Sequence, residues 1–146
     1  MATSGFTKIA NELRKSIGSI RKVIAISGQQ ALKSNFTNGS DYETGEKWQE
    51  LAESTKKSRR GKGSSQKPLI DTGALRSGIS WVIEGNSITW GLPNSLSYGE
   101  YHQFGDGVPE RRFMGFSYKK KMEMRKMLGK TIGKIIAKHR GNVLKA

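Results

Sequence analysis

Apolar residues at Phe6, Ile9, Leu13, Ile17, Ile20 and Ile24 are spaced by threes and fours, which places them on one stripe of an α-helix. The spacing predicts a long N-terminal helix from Phe6 to about Ser34, with Ser4 as N-cap and Lys8, Arg14, Lys15, Arg21 and Lys22 on its solvated face. Gly18 and Gly28 each weaken its interior by about 1 kcal/mol relative to Ala, and Gly28 is a candidate kink or break. Asn38-Gly39-Ser40-Asp41 is turn chemistry that ends this helix. A second, shorter helix is expected from Glu46 through Trp48 and Leu51 to Thr55. Residues 58–68 follow as a mobile basic loop, rich in Arg, Lys, Gly and Ser with almost nothing apolar to fold around.

Past the loop, Asp71 or Thr72 can cap a single helical turn through Arg76, and the period then changes from helical to alternating. Ile79, Trp81 and Ile83 precede Gly85-Asn86, and Ile88, Trp90 and Leu92 follow it, as in an antiparallel hairpin whose turn uses Gly and Asn. Val82, on the opposite face, suggests that this side is not wholly wet. A short helix from Leu96 to Phe104 ends at Gly105, and an imperfect apolar stripe from Ser117 to Ala137, ringed by lysine, predicts a C-terminal helix. Trp48, Trp81 and Trp90 read as core anchors, with Trp81 and Trp90 paired across the hairpin and Trp48 covering the sheet. The fold class is α+β: a small antiparallel β-sheet flanked by a long N-terminal helix and a C-terminal helix, all in one domain spanning residues 1–146.

Composition changes the picture mainly through charge. A net charge of +14 and a pI near 10.2 favour a polyanion or an acidic protein surface as partner. The cations concentrate in two places: Lys56 to Lys67, where Arg59, Arg60 and Lys62 are candidate contacts to DNA or an acidic partner, and the C-terminal third, where Lys119, Lys120 and Lys121 are others. Aromatic residues do not interleave with these clusters, which disfavours sequence-specific base recognition. Cysteine is absent, so disulfides, thiol catalysis and thiolate metal sites are excluded. With 34% hydrophobic residues and a mean hydropathy of −0.61, the chain has a modest core that neighbouring subunits could complete. No signal-peptide pattern opens the sequence and no apolar run approaches membrane length, so a soluble protein with no membrane partner is expected.

Catalytic constellations are weak. Ser77, His102 and Asp71 can be drawn as a triad, yet such a combination arises by chance in most chains of this size. His102 with Glu100 or Asp106 lacks diagnostic metal-ligand spacing. Gly61-Lys62-Gly63-Ser64-Ser65 has no leading strand, no glycine five residues before Lys62, and no Ser or Thr directly after it, so it is not a phosphate loop. The reading is therefore a non-enzyme with no cofactor and no metal.

Three ordered stretches carry more information: Leu69-Ile70-Asp71-Thr72-Gly73-Ala74-Leu75-Arg76-Ser77-Gly78-Ile79, Tyr98-Gly99-Glu100-Tyr101-His102-Gln103-Phe104-Gly105, and Pro109-Glu110-Arg111-Arg112-Phe113-Met114-Gly115. With Gly45-Glu46-Lys47-Trp48-Gln49-Glu50-Leu51 before them, they resemble the phage virion morphogenesis or tail completion family, with Glu110 and Arg112 as departures from its last box. The resemblance implies a structural component of the tail or neck, made in the bacterial host and carried in the virion. It further implies a homo-oligomeric, hexameric ring at the head-proximal end of the tail, joining the head connector to the tail terminator or tube, with non-specific contact to packaged DNA. A small basic nucleic-acid-binding protein is the alternative. Within the stretches, Trp48, Asp71, Thr72, Gly73, Leu75, Ile79, Phe104, Gly105 and Phe113 are expected to set the fold and its turns, with Leu75, Ile79 and Phe104 buried. Arg76, His102, Gln103, Arg111 and Arg112 are the expected partner contacts.

Overall fold

The computed structural model describes residues 5–59 and 65–143, with side chains described through Arg140. Ser4, Arg60 and Lys62 lie outside the described residues. The long N-terminal helix, α1, runs unbroken from Gly5 to Asn38, about 51 Å at helical rise. Short helices α2 (Glu53–Arg59) and α3 (Ala74–Gly78) follow, then the hairpin strands β1 (Ser80–Glu84) and β2 (Ser87–Gly91). A 3-10 turn at Asn94–Leu96, helix α4 (Gly99–Phe104) and the C-terminal helix α5 (Tyr118–Val143) complete the α+β order.

The two long helices lie antiparallel. Lys120 Nζ donates to Ser27 Oγ at 2.9 Å, while eighteen residues further on Lys138 pairs with Glu12 at 2.8 Å and His139 Nε2 approaches the other Glu12 oxygen at 2.6 Å. The hairpin docks on the middle of α1: Arg21 donates to Gly85 O and Asn86 Oδ1, Gln29 Nε2 to Ile79 O, and Trp90 Nε1 to Ala25 O. Gly28 is not a kink. A Cβ there would stand 2.5 Å from the Trp90 ring, so the missing side chain is what lets the indole lie against the helix.

In the hairpin Trp81 stands opposite Trp90, as the alternation predicts, and the Trp90 ring makes a T-shaped contact with Phe116 at 5.0 Å between centroids. Val82, 47% exposed, lies on an open face.

The core is assembled from six separate segments: Leu32 and Phe36 of α1, Trp48, Leu69, Leu75 of α3, Ile79 and Phe113. Phe36 is its centre, 4.9 Å from the Phe113 ring centroid and edge-on to Trp48 at 6.1 Å. The helical stripe therefore continues beyond Ser34, and every fully buried residue of α1 lies at or after Ile24.

The helix expected over Glu46–Thr55 does not form as such; helix begins only at Glu53. Asp41 Oδ1 accepts the N–H groups of Glu43 and Thr44, and the backbone pairs Asp41 N–H with Glu46 O and Trp48 N–H with Gly39 O. That closed turn leaves Trp48 outside any helix, where its ring meets Phe36 in a T-shaped contact within the core cluster.

Candidate assembly interface

The three ordered stretches converge on one knot. Gln103 Oε1 accepts the N–H groups of Phe113 and Met114 at 3.0 and 2.9 Å, and Arg111 N–H donates to His102 O at 2.7 Å, so α4 and residues 111–114 are tied side by side. Asn35 Nδ2 fastens them to α1 by donating to Phe113 O and Gly115 O. Gly73 (φ 83°) starts α3, and Gly105 (φ 73°) ends α4 in the left-handed region, its N–H donating to Tyr101 O. Asp71 does not cap α3: Thr72 Oγ1 accepts the Ala74 N–H at 3.3 Å, while Asp71 faces Arg59 at 3.6 Å. Leu75, Ile79, Trp48 and Phe113 are buried in this knot.

Most of the polar groups expected to reach a partner are occupied within the chain. Arg111 is only 4% exposed and donates to Gln49 O through Nε and Nη2, and to Glu50 O through Nη2. It braces residues 49–50 rather than presenting a contact. Arg112 pairs with Glu43 at 2.6 Å and Asp41 at 3.5 Å, and it donates to the Tyr42 hydroxyl with its guanidinium 4.9 Å from that ring's centroid. Its acidic partner is in its own chain, so Arg112→Glu would place a third acid beside Asp41 and Glu43 and is no clean probe of assembly. Gln103 is a clamp. Arg76 alone of the five is exposed with no hydrogen bond or ion pair among the described residues.

The basic candidates divide in the same way. Arg59 donates to Ser65 O, Lys67 O and Ile70 O, so its charge is spent on the carbonyls of the loop it precedes. Lys120 is held by Ser27 and Glu123. Lys119 and Lys121 remain exposed.

Phe104 departs most from expectation. It is 76% exposed instead of buried. Helix α4 turns Gly99 to the core, where a Cβ would meet Leu75, Leu92 and Phe113 within 3.3 Å, and five residues later Phe104 has rotated out to the rim of a groove lined by Gly99, Leu92 and Phe113. Tyr98 and Tyr101, 44% and 54% exposed, precede it at helical spacings of three, so that α4 carries a ridge of three exposed aromatics between the two clefts that Tyr98 and Phe104 line. The exposure of this ridge could not be read from the motif, because α4 is too short to show a period.

A cleft of about 380 Å³ opens beside the knot, with Arg59, Asp71, His102 and Arg111 among its walls. His102 does not form a triad: Ser77 Oγ donates to Gly73 O and Ala74 O, and Asp71 faces Arg59. No group of three His, Asp or Glu among the described residues could hold a metal, and no helix among them is long and apolar enough to cross a membrane. His102 Nδ1 is buried with no hydrogen-bond partner among the described residues. Burial, and secondarily the Arg111 charge, push its pKa below the ordinary value. The unfolded chain therefore binds a proton at His102 that the folded chain resists. This contribution to stability is complete above the unfolded value near ~6.5 and is lost as pH falls toward the folded one. Lowering the pH from neutrality toward about 5 is expected to lower the Tm, with a shallower slope in His102→Gln. Equal slopes in a thermal melt series would contradict it.

A small scaffold whose motif residues knit its own backbone, with aromatic and basic side chains left exposed, has the character of a structural assembly protein. The chain belongs to the phage virion morphogenesis family, whose sequence profile matches residues 2–133. Its role is structural, in virion morphogenesis, and the protein is virion-associated. Searches of curated protein sequences and of solved structures return no significant match.

Proposed function

We propose that the protein is a tail completion or neck component, forming a hexameric ring at the head-proximal end of the tail and joining it to the head connector through the tail terminator or tube. Membership of the family supports the assembly class, and the observation that carries the finer reading is the bare aromatic ridge at Tyr98, Tyr101 and Phe104. Motif residues that neither pack in the core nor form a catalytic group are suited to contact between subunits. The net charge of +14 suits a protein that encircles packaged DNA and touches it without reading sequence.

A phage or prophage carrying a nonsense mutation in this chain tests the reading. The expected result is full heads and complete-length tails that stay apart until purified protein is added. Missing tails or empty heads would place the function at another step. A second reading, a monomeric non-specific DNA-binding protein, draws on α5, which carries nine Lys and Arg residues against one Glu. It requires duplex binding with a steep salt dependence and no assembly.

A further inference from the structure

We infer that the aromatic ridge of α4 docks on the basic face of α5 of a second copy, head to tail. This rests on the ring reading above and identifies the surfaces that build it. Residues 98–110 are an acidic island in a basic chain: Glu100, Asp106 and Glu110 occur with no Lys or Arg. All three acids are exposed, and none forms an ion pair among the described residues. Beside the ridge lies a groove of about 250 Å³ whose walls include Leu92, Pro93, Leu96, Phe113 and Met114. Apolar side chains, a groove and unpaired carboxylates together call for a basic partner that also has apolar groups.

Helix α5 has that chemistry. Lys121, Arg125, Lys126, Lys130 and Lys134 are exposed and unpaired among the described residues, and Tyr118 and Ile136 at either end of this run are 77% and 56% exposed. DNA cannot be the occupant of the ridge, because its phosphates would meet three carboxylates. Nor can either patch pair with itself: a two-fold contact would set ridge acids against ridge acids, or α5 cations against α5 cations. Only the unlike pairing is complementary in charge. A contact between two different patches of one chain propagates from copy to copy, and it closes as a ring when the rotation permits.

Charge reversal with rescue tests this on the full-length, nuclease-treated chain, read by native mass and thermal melting. Glu100→Lys with Glu110→Lys is expected to abolish the oligomer, as is Phe104→Ser, while each variant stays a folded protomer that melts cooperatively, because all three residues are exposed. Adding Lys121→Glu and Arg125→Glu to the reversed chain is expected to restore assembly. An oligomer that survives both ridge variants overturns the inference while leaving the ring reading intact. Loss without rescue shows that the ridge meets a surface other than α5 and overturns it likewise. A wild-type chain that stays monomeric at every concentration overturns the ring reading together with it.

Discussion

Phe36→Ala is expected to reduce the unfolding free energy by about 3–5 kcal/mol, a large share of the roughly 5–15 kcal/mol that stabilises a domain. Phe36 is fully buried at the meeting point of the core, touching Phe113 in a tilted pair and Trp48 edge-on. Truncation forfeits the transfer of the ring from water and leaves a cavity walled by two other aromatics, which cannot collapse inward because each is held by a different segment. Trp48 is fixed by the 39–48 turn, and Phe113 by Gln103 and Asn35. Urea unfolding followed by tryptophan fluorescence measures the loss as a lower midpoint with an unchanged slope. Phe6→Ala, on the same helix but 61% exposed, is expected to change the stability by no more than about 0.5 kcal/mol. Similar losses in the two variants would contradict this placement of the core.

Arg111→Ala is expected to cost about 2–4 kcal/mol, although the residue is a cation in a chain with 26 of them. Its side chain bridges α4's neighbourhood to residues 49–50, two hydrogen bonds going to the single carbonyl of Gln49. Removing it leaves part-buried carbonyls without donors and empties the space its stem filled. Arg111→Met fills that space and removes the cost of holding a buried charge, so its loss is expected to be the smaller one. Chemical denaturation of both variants separates the two contributions. If Arg111 were instead a partner contact, both variants would keep full stability and fail only in assembly.

The elements with a regular period were legible in the chain. The stripe from Phe6 to Ile24 marks α1, the alternation from Ile79 to Leu92 marks the hairpin with its turn at Gly85-Asn86, and the lysine-ringed stripe after Ser117 marks α5. What differed was set by contacts that apolar spacing does not register. Trp48 and Leu51 have helical spacing, yet Asp41 closes a turn that competes for the same backbone, and local spacing carries no trace of that competition. Several interface candidates are occupied within the chain for a related reason. Arginine at a motif position looks the same whether it meets a neighbour's carboxylate or a carbonyl 62 residues away in its own chain, as Arg111 does. Phe104 failed in the opposite sense: an apolar residue between polar ones in a short helix gives no clue to which side faces the core. Arg111, expected outside, is buried, and Phe104, expected inside, is bare.

The mass of the purified, nuclease-treated chain in native solution, with its projection in negative stain, bears most directly on the account. A closed assembly of fixed integer multiples of the 16.2 kDa protomer, six by expectation, with a central opening, is the predicted result. A 16.2 kDa monomer at every protein concentration and salt would contradict it.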